Sequence, residues 1–220
     1  MSRRLPLFPL DLLLFPGTRT PLHIFEDRYR ALLGDVLAGD AAFGVLPPGE
    51  DGTAPTSGTI GCVAEVVTHQ PLPDGRSNVL VQGGERFVLR RILDEQTPYL
   101  VGLVDEFGDE EGADELPTDA EAALRALAER CRQAMSVLSD LPSEAAWSGD
   151  PATFTFQVAG TIPWDAAQSR PLLAMRSAAE RADLLLRLLP SVVPDLERRA
   201  AVHRRAGSNG AGPHPPERSE

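Results

Sequence analysis

The 220-residue sequence predicts an α+β protein: a mixed, barrel-like β-sheet in the N-terminal half, then helices only. Two observations predict it. Between residues 42 and 106, short apolar and β-branched runs alternate with Gly, Pro and Asp turn signals. Beyond residue 118 the apolar residues recur at three- and four-residue spacing, punctuated by helix caps. Strands and helices therefore segregate along the chain. The expected organisation is a β subdomain over residues 1–107 that holds one helix, an acidic linker over 108–117, a helical subdomain over 118–205 and a disordered tail over 206–220.

The chain opens on an apolar stretch, residues 5–29, punctuated by Pro6, Pro9, Pro16 and Pro21. Proline fixes φ and removes a backbone donor, so the stretch reads as short extended pieces at the rim of a sheet, broken by a Pro16-Gly17 turn. A helix follows over residues 25–38, with Phe25, Tyr29, Leu32, Leu33, Val36 and Leu37 on one face and Gly39 as its stop. Glu26 and Asp27 favour the positive end of its dipole. Strands are expected over 42–47, 59–69, 77–82, 85–94 and 98–106, with Pro73-Asp74-Gly75 as a tight turn and Gly83-Gly84 separating two of them.

The acidic, glycine-bearing stretch 105–115 reads as a solvated loop, since it lacks the position pattern of an EF-hand. Thr118 to Glu121 is a capping box, followed by the stripe Leu124, Leu127, Cys131, Met135, Leu138. Asp150-Pro151 opens a second helix, which Gly160 ends. Asp165 caps a third, which Pro171 is expected to kink or split. Ser177 to Glu180 is a second capping box, opening a helix stopped by Pro190, and residues 195–205 form a last, Arg-rich helix.

Composition excludes several function classes. Net charge is −11, a field that opposes nucleic-acid binding. All 21 basic residues are arginine. A phosphate-binding loop with its lysine, Schiff-base catalysis and a Ser–Lys dyad are therefore out of reach, because arginine does not give up its proton. Cys62 and Cys131 read as small buried hydrophobes, too few for a disulfide framework or a zinc site. Prolines and Asp11 interrupt the N-terminal apolar run, so it does not read as a signal peptide, and the expected location is cytoplasmic, off the membrane. No cofactor and no metal are expected.

The motifs Leu5-Pro-Leu-Phe-Pro-Leu10, Leu14-Phe-Pro-Gly17, Pro21-Leu-His-Ile-Phe-Glu26 and Arg28-Tyr29 resemble the signature of the Lon N-terminal, or substrate-binding, domain. Phe43-Gly-Val45, Gly58-Thr-Ile-Gly61, Gly84-Glu-Arg-Phe87, Leu172-Leu173 and Ala179-Glu-Arg181 before Leu184-Leu-Leu186 extend the resemblance to about residue 190. It implies a PUA-like pseudo-barrel followed by a helical bundle. Pro9, Pro16, Gly17, Pro21, Glu26, Arg28, Tyr29 and Arg86 are its structural signature, with Arg86 expected to hold the N-terminal segment through carbonyl hydrogen bonds. In Lon proteases this domain precedes an AAA+ ATPase and a Ser–Lys protease. The chain is expected to be a stand-alone member with neither activity.

The resemblance implies a non-catalytic module that binds unfolded or specific protein segments, as an adaptor to a separate protease. Phe8, Phe15, His23 and Phe25 are the candidate peptide-binding rim, although core packing is the favoured account of the phenylalanines, and a backbone contact or packing at the barrel rim that of His23. Two other classes remain open: a small hydrolase using Cys62 or carboxylates, and an RNA-binding PUA-like module. Cys62 and His69 lie seven positions apart in one strand, on opposite faces, a poor geometry for a catalytic pair.

Overall fold

The computed structural model describes residues 2–110, 112, 115–139 and 146–209. The elements are β1 (Arg3–Pro9), β2 (Arg19–Ile24), α1 (Asp27–Leu37), β3 (Ala42–Leu46), β4 (Ile60–Pro71), β5 (Ser77–Leu93), β6 (Leu100–Glu106), α2 (Thr118–Ser139), α3 (Pro151–Gly160), α4 (Ala166–Ala174) and α5 (Ala178–Asn209). The strands form one mixed sheet in the order β2-β5-β4-β3-β1-β6, and β6 pairs again with β5. Pairing thus passes from β5 through β4, β3, β1 and β6 back to β5, a pseudo-barrel to which β2 adds as an edge.

The opening stretch is not all at the rim. β1 lies inside the sheet, antiparallel to β6 over Arg3–Leu7 and parallel to β3 over Leu7–Pro9. Pro6 pairs with Val101 of β6 and Pro9 with Leu46 of β3, and each carries its missing donor on the flank away from that partner. Leu10 donates to Leu46 O across to β3 (2.9 Å), so by alternation Pro6 also faces the β3 side and Pro9 the β6 side. The β3 pairing starts only at Leu7, and the β6 pairing has ended there.

The two strands expected around Gly83-Gly84 are one, β5, with a register shift against β4 between Cys62 and Ala64. Glycine is required at position 83 by close approach rather than by a turn. Gly83 exchanges hydrogen bonds with Gly17 N–H and Thr18 O (2.8 Å each), and a Cβ there would run into the Phe15 carbonyl. The pseudo-barrel interior is filled by Leu5, Leu7, Leu46, Val63, Phe87, Leu89 and Val104. The Phe87 ring lies so close to β4 that a Cβ on Gly61 would sit 2.5 Å from it. A second core joins α1, through Tyr29, Leu32, Leu33 and Val36, to Phe8, Leu22, Ile24, Phe43, Val79 and Val81.

Two compact units are interleaved along the chain: Met1–Leu116 with Trp147–Arg181, and Pro117–Ala146 with Ala182–Glu220. The expected partition at 107/118 placed all later helices together, whereas α3 and α4 belong to the sheet-bearing unit. Nearly every position of α3 from Phe154 to Ala159 is buried, so its periodicity did not reveal which partner covers it. Asp150 caps α3 by accepting from Thr153 N–H (2.8 Å), and Asp165 caps α4 through Gln168 N–H (2.8 Å). Pro171 lies inside α4 without splitting it.

In the second unit α2 buries Leu124, Ala128, Cys131 and Ala134, while α5 buries Leu185, Leu189, Val193, Leu196 and Ala200. Arg130 forks onto Glu197 between these helices (2.8 and 2.9 Å). The helix expected to stop at Pro190 continues as α5 to Asn209. Pro190 and Pro194 are both exposed and one turn apart, so their ring clashes are confined to the solvent side, where a helix can bend. Residues 206–209 of the expected tail therefore belong to this helix; 210–220 lie outside the described residues.

Candidate functional site

β2, the first half of β5 and the second half of β4 form a three-stranded arm. Only one side of β2 is paired. Gly83 donates to Thr18 O, which turns the backbone groups of Thr20, Leu22 and Ile24 towards β5 and those of Arg19, Pro21 and His23 outwards. Pro21 thus removes a donor from the middle of the open edge, a device that blunts pairing with other chains. The side chains of Pro21 and His23 are exposed on one face, opposite Leu80 and Asn78 of β5.

His23 and Phe25 come together on this face. Asn78 Oδ1 accepts from His23 Nδ1 at 2.8 Å, which fixes the ring. The Phe25 ring stacks at 6.2 Å and 24° from it and is 60% exposed. Phe25, expected on the apolar face of the 25–38 helix and also a candidate of the peptide-binding rim, precedes the N-cap Glu26 and is exposed. Val67 of β4 is a further exposed apolar residue on the arm. Glu26 accepts from Arg28, whose guanidinium lies 4.5 Å from the Tyr29 ring.

Phe8 and Phe15 do not belong to an exposed rim. Phe8 packs 4.0 Å from the Tyr29 ring and 5.9 Å from Phe43, and Phe15 stacks 6.3 Å from Phe156; both are buried. The reason is local: β1 is covered on its Phe8 side by α1, and the Pro16-Gly17 turn presses Phe15 against α3. Gly17 takes φ +72°, with its N–H on Gly83 O. Pro9 lies opposite Leu46 in the parallel pairing.

Arg86 does bind carbonyls, but not those of the N-terminal segment. Its Nη1 donates to Leu173 O (2.7 Å) and Met175 O (2.6 Å), at the C-terminal end of α4. Those carbonyls are the negative pole of the helix, a natural seat for a cation. Its Nη2 donates to Asp109, which also accepts a fork from Arg181 (3.1 and 2.6 Å). Burial lowers the Arg86 pKa to about 10, against the opposing pull of Asp109. Phe156 lies against both guanidiniums, 3.7 Å from Arg181 and 4.7 Å from Arg86. Asp109 escaped the sequence reading because it is one acid in an acidic run, and nothing in the run distinguishes it.

An open cleft of about 820 Å³ lies beside this cluster, lined by Glu65, Gly83, Arg86, Phe107, Asp109 and Phe156 among others. Cys62 offers it no nucleophile. The thiol is fully buried, directed at Val63 O and Gly84 O (3.5 and 3.4 Å), and pushed up to about 12 by desolvation. His69 Nε2 lies 3.0 Å from Ser77 Oγ instead. Arg90 of β5 pairs with Asp105 of β6 (2.6 Å). Among the described residues no group of three or more His, Cys, Asp or Glu could hold a metal ion, and no helix is long and apolar enough to cross a membrane.

The pseudo-barrel thus displays an aromatic–histidine face on its three-stranded arm. Its family follows from comparison. The profile described as the ATP-dependent protease La (LON) substrate-binding domain matches residues 4–191, and the chain belongs to that family. It is similar to the Lon protease of Flavobacterium johnsoniae (28% identical over 202 residues, 88% of this chain and 24% of that protein) and to that of Parabacteroides distasonis (26% over 207 residues, 90% and 25%). The chain thus spans about a quarter of the length of these curated relatives. The crystal structure of a Lon N-terminal domain protein from Xanthomonas campestris superposes with a TM-score of 0.65 at 25% identity, covering 84% of this chain and 98% of that one. The N-terminal domain of Mycobacterium avium complex Lon protease shares the fold (TM-score 0.60, 19% identity, 88% and 99% coverage).

Proposed function

We propose that this chain is a polypeptide-binding module without catalysis of its own, which grips unfolded or extended protein segments and presents them to a separate protease in the cytoplasm. Membership of a substrate-binding domain family supports the binding role. The observation that carries the site is Phe25, a large ring held 60% exposed on a rigid sheet face beside the fixed His23 ring. Folding gains little by exposing such a ring, whereas an apolar segment laid across the arm would cover it. Pro21 interrupts the outward donors of β2, so recognition through side chains on the face is favoured over full strand addition at the edge. The acid excess of the chain argues against nucleic acid as the ligand.

Fluorescence anisotropy with a labelled, reduced and carboxymethylated protein tests this reading. Saturable binding is expected for the wild type, with affinity reduced about tenfold in Phe25→Ala, the loss of a single well-placed aromatic contact. Equal binding by wild type and Phe25→Ala removes the arm as the site. No saturation at high micromolar concentration removes the binding role.

A further inference from the structure

Asp109 is the single carboxylate between two buried guanidiniums. The Arg86 and Arg181 side chains are 3% and 0% exposed, and Asp109 itself is 11% exposed. Two cations against one hydrogen-bonded anion leave an excess positive charge in a desolvated place, compensated by the dipoles of Leu173 O, Met175 O, Ala152 O and Thr155 Oγ1, by the Phe156 ring and, beside Arg181, by the Asp150 carboxylate. The groups come from five separate segments: β5, the strand-free residues after β6, α3, the end of α4 and the start of α5.

The residues after β6 form a strap held at every position. Phe107 N–H donates to Arg86 O (2.9 Å), Arg176 Nε to Gly108 O (2.8 Å), and Glu110 N–H to Arg176 O (2.9 Å), while Asp109 takes both buried arginines. The Phe107 ring lies 5.0 Å from the Arg86 guanidinium and 5.4 Å from that of Arg176. The strap and α3 both line the cleft: Phe107, Gly108 and Asp109 from the strap, Ala152, Thr153 and Phe156 from α3.

We infer that Asp109 is a latch, a positioning residue that makes the strap 107–110 and the α3–α4 segment through Arg181 open and close as one unit against the pseudo-barrel, and so sets the width of the cleft. The physical ground is asymmetry. Losing the one shared anion leaves two like charges buried together, so the strap cannot leave the cluster alone. The Arg181 fork, with the Arg176–Gly108 and Glu110–Arg176 hydrogen bonds, carries it with the α3–α4 segment when that segment parts from the strand that carries Arg86. The two apolar cores of the pseudo-barrel draw almost nothing from residues 147–181 and remain closed when the unit opens. Opening removes one wall of the cleft and uncovers Phe156, which is 3% exposed when closed. A ligand that fits the open cleft better shifts the population towards it.

Native-state hydrogen exchange on the full chain, read by mass spectrometry at rising sub-denaturing urea, tests the latch without any substitution. Amides of 107–110 and of 150–181 are expected to share one opening free energy and one urea dependence, below those of β1, β3 and β4. Opening of the two segments with different urea dependences, or only together with the strands, overturns the proposal. In Asp109→Asn, exchange in both segments is expected to rise at least about 100-fold while β1, β3 and β4 stay within about threefold, and binding of the dye ANS to rise with it. Glu110→Gln, whose exposed pair with Arg176 spans 3.5 Å, is the control and is expected to change neither. No acceleration in Asp109→Asn overturns the latch; if that variant does not fold, the wild-type exchange decides.

Discussion

β1 and β2 come from one proline-punctuated stretch and have opposite fates. β1 is threaded between β3 and β6, its prolines each turning the missing donor away from the strand they pair with, and its Phe8 is sealed under α1. β2 pairs on one side only, turns Pro21 outwards along its open edge and leads into an exposed Phe25. Both read as apolar residues between prolines. What separates them is which sides are paired and what covers each face, and both are decided by residues far away in the chain. An aromatic residue in such a stretch is structural or functional according to that covering, not according to its neighbours in sequence.

The comparison breaks most readily at its two phenylalanines. Phe8→Ala is expected to destabilise the protein by about 3–5 kcal/mol, the cost of a cavity in a packed aromatic cluster, measured by urea denaturation. Phe25→Ala is expected to stay within about 0.5 kcal/mol of wild type. Similar losses for the two would mean that β2 is no less structural than β1. A smaller effect is expected where the end of the Pro16-Gly17 turn is stitched to β5. Gly83→Ala drives a methyl group into the Phe15 carbonyl and is expected to cost about 1–3 kcal/mol, read as a lowered midpoint with an unchanged urea slope.

Pro21→Val restores an outward donor to β2 and is expected to change stability little. It should raise the fraction of higher-order species in sedimentation velocity through edge pairing, while a distribution unchanged from wild type would show that the edge is protected by more than its proline. The smallest effect concerns Arg4 of β1, which forks onto Glu95 and holds that carboxyl below its ordinary range, first through the hydrogen bond and then by charge. A depressed folded pKa contributes stability above the unfolded carboxylate pKa of about 4.3, and loses it as pH falls through the folded value. Arg4→Ala should therefore lower stability slightly at neutral pH and leave it unchanged in acid below the folded value, which flattens the acid limb; the effect is small because the pair is largely exposed.

Much of the secondary structure was legible because it is local. The α1 face, the Asp150 and Asp165 caps and the Pro73-Asp74-Gly75 turn depend on residues within a few positions of one another. Of the candidate site, His23 and Phe25 were legible as residue types but not as a stacked pair, since Asn78, which fixes His23, lies 55 positions away. Arg86 was legible as a donor to carbonyls but not for its partners on α4, and Asp109 not at all, because a buried carboxylate inside an acidic run has no local mark.

By itself the sequence determined the class of fold, the family signature and, through the absence of lysine, the chemistry that is out of reach. Periodicity, caps and residue chemistry act over one or two turns of chain, so they can be read there. Only the tertiary structure decided that β1 is interior, that β5 runs unbroken through Gly83-Gly84, that α3 and α4 join the sheet-bearing unit, and which aromatic rings reach solvent. Those outcomes depend on strand pairing and on charge pairs between segments tens of residues apart, where burial by distant partners overrides what neighbouring residues prefer.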